Sequence, residues 1–254
     1  ARLGAVVVLV SGLGVAISGD LQGKVMTEVQ PMKMAAAEAL YDTPPEGQCA
    51  PFSVLTVAGL DGEDPTHVIE IPCLLSFLGT GSFDGEVRGI ADLEAEYRAS
   101  FGDDELTQAD TYVPPIAMTY WNFRLMMATG FFAMAVGAWV LWATRKDRVP
   151  MQRWVFPIIV LTPLATVLGH SFGWIFTEVG RQPWVVFGEM ATHTAVSPSV
   201  GTADVWTSMI VFTLLYGGLA VVEVRLLLAT IRKGAEPFEQ PRLVEDDEPL
   251  EFAY

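Results

Sequence analysis

Side chains able to bind, ligate or move protons fall mainly into three short stretches. The first is Gln30-Pro31-Met32-Lys33-Met34-Ala35-Ala36-Ala37-Glu38-Ala39-Leu40-Tyr41. Its Lys33 can hydrogen-bond an oxygen and its Glu38 can accept a proton. Five residues turn a helix through about 500°, so the two do not share a face, but they can bracket a ligand entering at the helix end. The second stretch is Tyr120-Trp121-Asn122-Phe123-Arg124-Leu125-Met126-Met127. Arg124 there either snorkels to the interface within an aromatic belt or pairs with an acidic group such as a haem propionate. Met126 and Met127, taken alone, read as lipid-facing or core residues. The third holds His170, Trp174 and Glu178 at i, i+4 and i+8, followed by Gly180-Arg181-Gln182-Pro183-Trp184. His170 fits either a helix-packing histidine or a metal ligand, and Glu178 with Arg181 fits a plain i, i+3 ion pair. A stripe of this kind at one end of an apolar segment is costly, and we read it as lining a cofactor or proton path.

The elements that position these residues follow from composition. The chain has 254 residues, 51% of them hydrophobic, and a formal charge of −15; its mean hydropathy is +0.38. Apolar and acidic character are segregated. Residues 20–115 hold 18 acids and 4 bases, a net of −14, and residues 235–254 hold 7 acids and 1 base, a net of −6. The remainder, with 5 acids and 10 bases, contains the apolar runs. Disordered, collagen-like and nucleic-acid-binding classes are excluded as main readings. Ile116–Ala143, Trp154–Phe176 and Val205–Thr230 are each long enough to cross a bilayer core of about 30 Å. Leu3–Gly19 is uncharged but shorter, and reads either as a signal peptide or as the end of a transmembrane helix cut short at its start. The expected fold is an all-α integral membrane protein. It has about four transmembrane helices and a mixed, irregular outer loop domain between the first and second.

Basic residues set the orientation. Arg145, Lys146, Arg148 and Arg153 crowd the link 144–153, Arg232 and Lys233 follow the last span, and Arg2 precedes the first. With four spans all three sites share the cytoplasmic side. The loop 20–115 and the link 179–204 then face outward, and the acidic tail 231–254 ends in the cytoplasm. Glu223 and Arg225 fall near the cytoplasmic end of the last span and read as interfacial. Pro31 suits a first helical turn and Thr43-Pro44-Pro45 ends the alanine-rich run, whose composition alone describes a surface helix. Phe52–Val57 and His67–Ile71 read as strand-like or irregular, and Gly89–Phe101 as a short helix. Cys49 and Cys73 are the only cysteines, and both lie in the outward loop, where an oxidising compartment permits a disulfide; the alternative is two unpaired thiols. No GxxxxGK, HExxH, GxSxG or CxxC motif occurs.

Three blocks of this sequence resemble subunit I of a cytochrome bd-type quinol oxidase, over its C-terminal half. They are Gly19-Asp20-Leu21-Gln22-Gly23-Lys24 with the Gln30–Glu38 run, Phe123-Arg124-Leu125-Met126, and Gly173-Trp174-Ile175-Phe176-Thr177-Glu178-Val179-Gly180-Arg181-Gln182-Pro183-Trp184. The resemblance implies a multi-pass subunit of the bacterial plasma membrane that oxidises quinol on the outer side and reduces dioxygen to water. Lys33 and Glu38 match residues that handle quinol in the outward loop. Met126 matches an axial ligand of the low-spin haem b, with Arg124 beside the same haem. Glu178 matches the carboxylate at the high-spin haem b, with Trp174 on the route between haems and Arg181 and Trp184 holding haem groups. The implied cofactors are haem b, low-spin and high-spin, and haem d. The implied partners are the N-terminal half of the same subunit, oxidase subunit II, a small accessory subunit and membrane lipid.

The resemblance also marks a gap. The family's histidine ligands belong to earlier helices, and His67, His170 and His193 match none of those positions. The chain is expected to be a fragment or the second stretch of a longer polypeptide. Two other classes remain: a non-enzymatic membrane receptor or transport subunit with an acidic ectodomain, and a diheme b-type electron carrier, which the few histidines disfavour.

Overall fold

In a computed structural model, which describes residues 1–57, 66–147 and 152–234, four long helices carry the apolar runs: α1 (Arg2–Val29), α5 (Ile116–Ala143), α6 (Val155–Val179) and α7 (Thr202–Lys233). All four are long and apolar enough to cross a membrane. Their side chains argue the same way. Leucines, valines and phenylalanines cover their outer faces and are largely exposed within the chain. Surface of that kind is stable only where lipid or other helices cover it. The fold class expected from the sequence is the one observed. Arg148 and the acidic tail from Ala235 onward lie outside the described residues.

One boundary differs. The sequence suggests that the chain leaves the membrane around Ser18–Lys24, yet α1 continues unbroken to Val29, 28 residues in all. At 1.5 Å per residue it is about 42 Å long, which exceeds a bilayer core of about 30 Å. Its last turns, bearing the Lys24–Asp20 ion pair at 2.6 Å, need not lie in the apolar layer.

Small residues set the helix packing. α5 and α6 form the most extensive helix pair. A Cβ added at Gly173 of α6 would lie 2.9 Å from the Met126 sulfur of α5, so the missing side chain makes room for that thioether. On the other side, Gly137 of α5 admits Val8, Leu9 and the Ala5 carbonyl of α1. Close approach through glycine is the usual means of helix association where the hydrophobic effect is absent. Arg2, at the start of α1, reaches Thr144, just past the end of α5, with Nε 3.4 Å from the hydroxyl. Two of the three basic sites used above to set orientation, Arg2 and Arg145–Lys146, therefore lie at one end of the helices.

At the other end sits the loop domain: α2 (Pro31–Glu38), β1 (Phe52–Thr56), β2 (His67–Ile71), α3 (Leu74–Thr80) and α4 (Ile90–Phe101). β1 and β2 pair antiparallel with two irregularities in register. A short second hairpin, β3 (Trp184–Val186) and β4 (Met190–Ala191), follows α6. Cys49 and Cys73 form a disulfide beside the first hairpin. α2 starts at Pro31, whose missing N–H costs nothing there, and stops at Ala39 in the left-handed conformation.

Its burial corrects the expectation of a surface helix. Ala35, Ala36 and Ala37 are fully buried, as are Met32, Met34 and Glu38 to within 5%. Alanine carries no hydropathy stripe, but its small side chain lets other elements close on a helix from several sides. Ile90, Leu93 and Tyr97 of α4, Tyr112, Ile116 and Tyr120 of α5 and its lead-in, and Trp184 pack against one side of α2. Leu75, Val87 and Ala50 pack against Met34 on another. Described residues 197–234 belong to a separate unit, in which α7 is capped by the Asp204 carboxylate accepting the Gly201 N–H at 3.0 Å.

Candidate quinol and haem site

The buried helix α2 presents its two functional side chains to different places. Glu38 faces α5. Its carboxylate forms a two-pronged ion pair with Arg124, Oε2 to Nη2 at 2.6 Å and Oε1 to Nη1 at 3.2 Å. The side chains are 2% and 8% exposed, so this is an interior pair. Arg124 therefore does not snorkel, and the acid it meets is a protein carboxylate. Its remaining donors are taken by the Ala37 carbonyl at 2.9 Å and the Ser53 carbonyl of β1 at 3.0 Å. Tyr120, Phe52 and Phe123 surround the guanidinium, with ring centroids 4.3, 4.7 and 5.4 Å from it. Burial pushes the Glu38 carboxyl up to about 7 against the opposing pull of Arg124 and of the Ser53 backbone N–H. A carboxyl poised there can take up or release a proton at neutral pH.

Lys33 faces the end of α6. Its ammonium donates to the Thr177 carbonyl at 3.3 Å and lies 5.1 Å from the Phe176 ring centroid. Burial, then the Arg181 charge, hold the lysine below its usual value, with Glu178 pulling the other way. Glu178 and Arg181 make the i, i+3 ion pair that their spacing allows. Gly180 lets α2 come close: a Cβ there would meet the Lys33 Cγ at 3.3 Å and Thr119 at 3.1 Å. Lys33, Arg181 and Trp184 line one cleft with Gln30, Met32, Gly180, Gln182 and Phe187. The indole Nε1 of Trp184 and the Arg181 Nε are buried without a hydrogen-bond partner in it. Trp184 is held by Phe101, Tyr112 and Phe187, with ring centroids 5.2 to 5.5 Å away. A cleft offering ammonium, guanidinium and indole N–H groups suits a ligand that brings oxygen acceptors.

The structure thus joins Lys33, Glu178, Arg181 and Trp184 in one cluster and Glu38 with Arg124 in another. Phe123 and Phe176 touch between them at 4.9 Å. Met126 and Trp174 belong to neither. Met126 lies half-buried on α5 over Gly173, and Trp174 is 69% exposed on α6. His170 is exposed as well, with its Nδ1 3.4 Å from the Thr166 carbonyl one turn earlier on the same helix. Sequence reasoning missed Tyr120 and Ser53. The i, i+4 spacing of Tyr120 and Arg124 was a usable signal. Ser53 acts through its backbone and left none.

A chain with four apolar helices, and with charged clusters hung on one alanine-rich helix, matches one set of known proteins. The family described as cytochrome bd terminal oxidase subunit I matches residues 1–235. The chain belongs to that family. It is 35% identical over 235 residues to the cytochrome bd ubiquinol oxidase subunit 1 of Bacillus subtilis, covering 92% of this chain and 48% of that one. It is 27% identical over 275 residues to the cytochrome bd-II ubiquinol oxidase subunit 1 of Escherichia coli, covering 88% and 53%. The solved bd oxidase structure from Geobacillus thermodenitrificans superposes with a TM-score of 0.72 at 26% identity, covering 92% of this chain and 49% of that one. The chain spans about half the length of these cytochrome bd relatives.

Proposed function

We propose that this chain is the quinol-oxidising portion of a bacterial plasma-membrane oxidase. With the rest of subunit I, oxidase subunit II and a small accessory subunit, it passes electrons from quinol through haems to dioxygen, contributing to the proton motive force. The observation that carries this reading is α2, a largely buried helix that sets a hydrogen-bond donor at one span end and a proton-accepting carboxyl at another. In this reading loop 20–115 faces outward and the C-terminus is cytoplasmic.

Lys33 donates a hydrogen bond to a quinol oxygen from its cleft, and Glu38, with a carboxyl near 7, accepts a quinol proton as electrons leave. Arg124 holds the resulting carboxylic acid and carboxylate in one place through its two-pronged contact. Bound haem supplies the one-electron steps between quinol and dioxygen. The residues present fit such a group in two respects. The orphaned Trp184 Nε1 and Arg181 Nε are donors suited to a propionate carboxylate. The Met126 thioether, seated over a glycine, is a soft donor suited to the low-spin haem b iron. In this reading Glu178 is the carboxylate at the high-spin haem b, with Trp174 on the route between haems. Further haem ligands would come from the rest of subunit I.

The deciding experiment is steady-state quinol oxidation by the complete oxidase carrying Lys33→Ala. We expect a rise in KM for quinol of about 10-fold, the loss of one charged hydrogen bond, with haem content intact. Wild-type turnover at every quinol concentration would refute the binding role.

A further inference from the structure

Arg124 engages all five of its N–H donors inside the protein. Nη1 reaches Glu38 Oε1 at 3.2 Å and the Ala37 carbonyl at 2.9 Å. Nη2 reaches Glu38 Oε2 at 2.6 Å and also the Ser53 carbonyl, which Nε meets at 3.0 Å. All of these donors lie at the rim of a flat group, so its aim depends on what holds its face and its acceptors. Tyr120, one turn earlier on α5, does both. Its ring centroid lies 4.3 Å from the guanidinium carbon, nearer than those of Phe52 and Phe123. Its hydroxyl donates to the Ser53 carbonyl at 3.2 Å and lies 3.2 Å from the Ser53 hydroxyl. That carbonyl is shared between Tyr120 and Arg124 and cannot turn without losing one of them. Tyr120 is fully buried. Phenylalanine would fill the same space with no hydroxyl to take out of water.

We propose that Tyr120 is a positioning residue for quinol oxidation, holding the Nη1–Nη2 edge of Arg124 against Glu38 through the guanidinium face and the Ser53 carbonyl. The proposal rests on the quinol-oxidising reading of Glu38. Tyr120 acts through Arg124 and takes no proton itself. Its effect is electrostatic. Burial raises the Glu38 carboxyl to about 7, and Arg124, the charged side chain acting on it among the described residues, pulls it down. A two-pronged contact is strong only while its geometry is kept. Without the tyrosine hydroxyl the fork is less well aimed, and Glu38 keeps its proton to higher pH. On β2, His67 is also tied to Ser53, with Nδ1 3.2 Å from the Ser53 hydroxyl and 2.8 Å from that of Thr56. It has no part in the aim of Arg124 and serves as the control.

The test is the pH profile of kcat for quinol oxidation by the complete oxidase carrying Tyr120→Phe, which keeps the ring and removes the hydroxyl. Glu38 accepts a quinol proton only as the carboxylate, so wild-type kcat falls on the acid side through about pH 7. That limb should move up by about one pH unit in Tyr120→Phe, the lower end of what a close opposite charge contributes. At pH 7 the carboxylate fraction then drops from about one half to about one tenth and kcat falls about 5-fold, recovering at higher pH. KM for quinol and the haem spectra should stay unchanged, and His67→Gln should leave the limb in place. A tyrosine kept only for packing would lower Tm, or kcat at every pH alike, without moving the limb. An unmoved limb in Tyr120→Phe, or a limb that moves in His67→Gln, overturns the positioning role. If Glu38→Gln is inactive while the Tyr120→Phe limb is unmoved, only that role fails. If Glu38→Gln itself oxidises quinol normally, the reading beneath it fails.

Discussion

Replacing Glu38 by Gln tests the electrostatics of the interior pair directly, because the substitution keeps the shape and removes the ionisation. In the folded chain the carboxyl holds its proton up to about pH 7, whereas an exposed carboxyl releases it near 4.5. The folded state therefore binds more protons between those values. The stability linked to this group is greatest below 4.5, falls as pH rises through 7, and is level beyond. At about 1.36 kcal/mol per pH step the total loss is about 3 kcal/mol. Arg124 is too little to reverse the sign, since burial is the larger influence. The assay is thermal unfolding of the complete oxidase in detergent at pH 5 and pH 8, followed by tryptophan fluorescence. For a unit of about 200 residues, 1 kcal/mol moves Tm by about 2–4 °C. About 2.5 kcal/mol of that loss falls between pH 5 and pH 8, so the fall in Tm over this interval should be about 5–10 °C smaller in Glu38→Gln than in wild type. Other titrating groups are common to both proteins and cancel in the comparison. Parallel Tm against pH curves would refute the claim that burial outweighs Arg124 at this carboxyl.

Three further outcomes are expected. Met126→Leu conserves volume and should cost less than about 1.5 kcal/mol in stability, yet abolish the low-spin haem b spectrum of the complete subunit; an unchanged spectrum refutes the ligand role. Ala36→Leu adds three carbons to a site with no exposed surface, and should destabilise by about 1–3 kcal/mol, read as a lower Tm with reduced quinol turnover. Cys73→Ser opens a bridge between residues 24 apart and should cost about 3 kcal/mol on the loop-entropy estimate. Its complement is that neither thiol of the wild-type protein is alkylated without reductant.

What was legible in the sequence follows what lipid demands of it. The bilayer fixes helix length and composition so tightly that Ile116–Ala143 is both the expected and the observed span, and α6 begins one residue from where hydropathy puts it. α7 runs three residues further at each end than its apolar core, because Asp204 and the Arg232–Lys233 pair extend and cap it. The interior of the loop domain was far less legible. Alanine buried on every side of a helix looks like alanine on a surface, since no apolar stripe separates the two cases. Glu38 and Arg124 stand 86 positions apart, and sequence spacing says nothing about a pairing made by tertiary packing. Ser53 escaped for a different reason. Its backbone C=O accepts from Arg124, and every residue has that group.

The division of labour on α2 follows from this packing. Lys33 and Glu38 are five residues apart, about 140° around the helix beyond one full turn, so no rotation of α2 can bring both to one partner. The fold gives each its own: the end of α6 for Lys33, and the first turns of α5 for Glu38. α2 is thereby tied to two spans by charged or hydrogen-bonded contacts, with alanines between them that leave no slack. A shift of α2 large enough to move Lys33 in its cleft must also pull on the Glu38–Arg124 pair, whose members are buried and costly to separate, about 3–5 kcal/mol for a broken interior pair. Under the proposed function, quinol held at Lys33 is sensed at Glu38 through one rigid body. Binding and proton acceptance are then coupled by geometry, although the two side chains point in different directions.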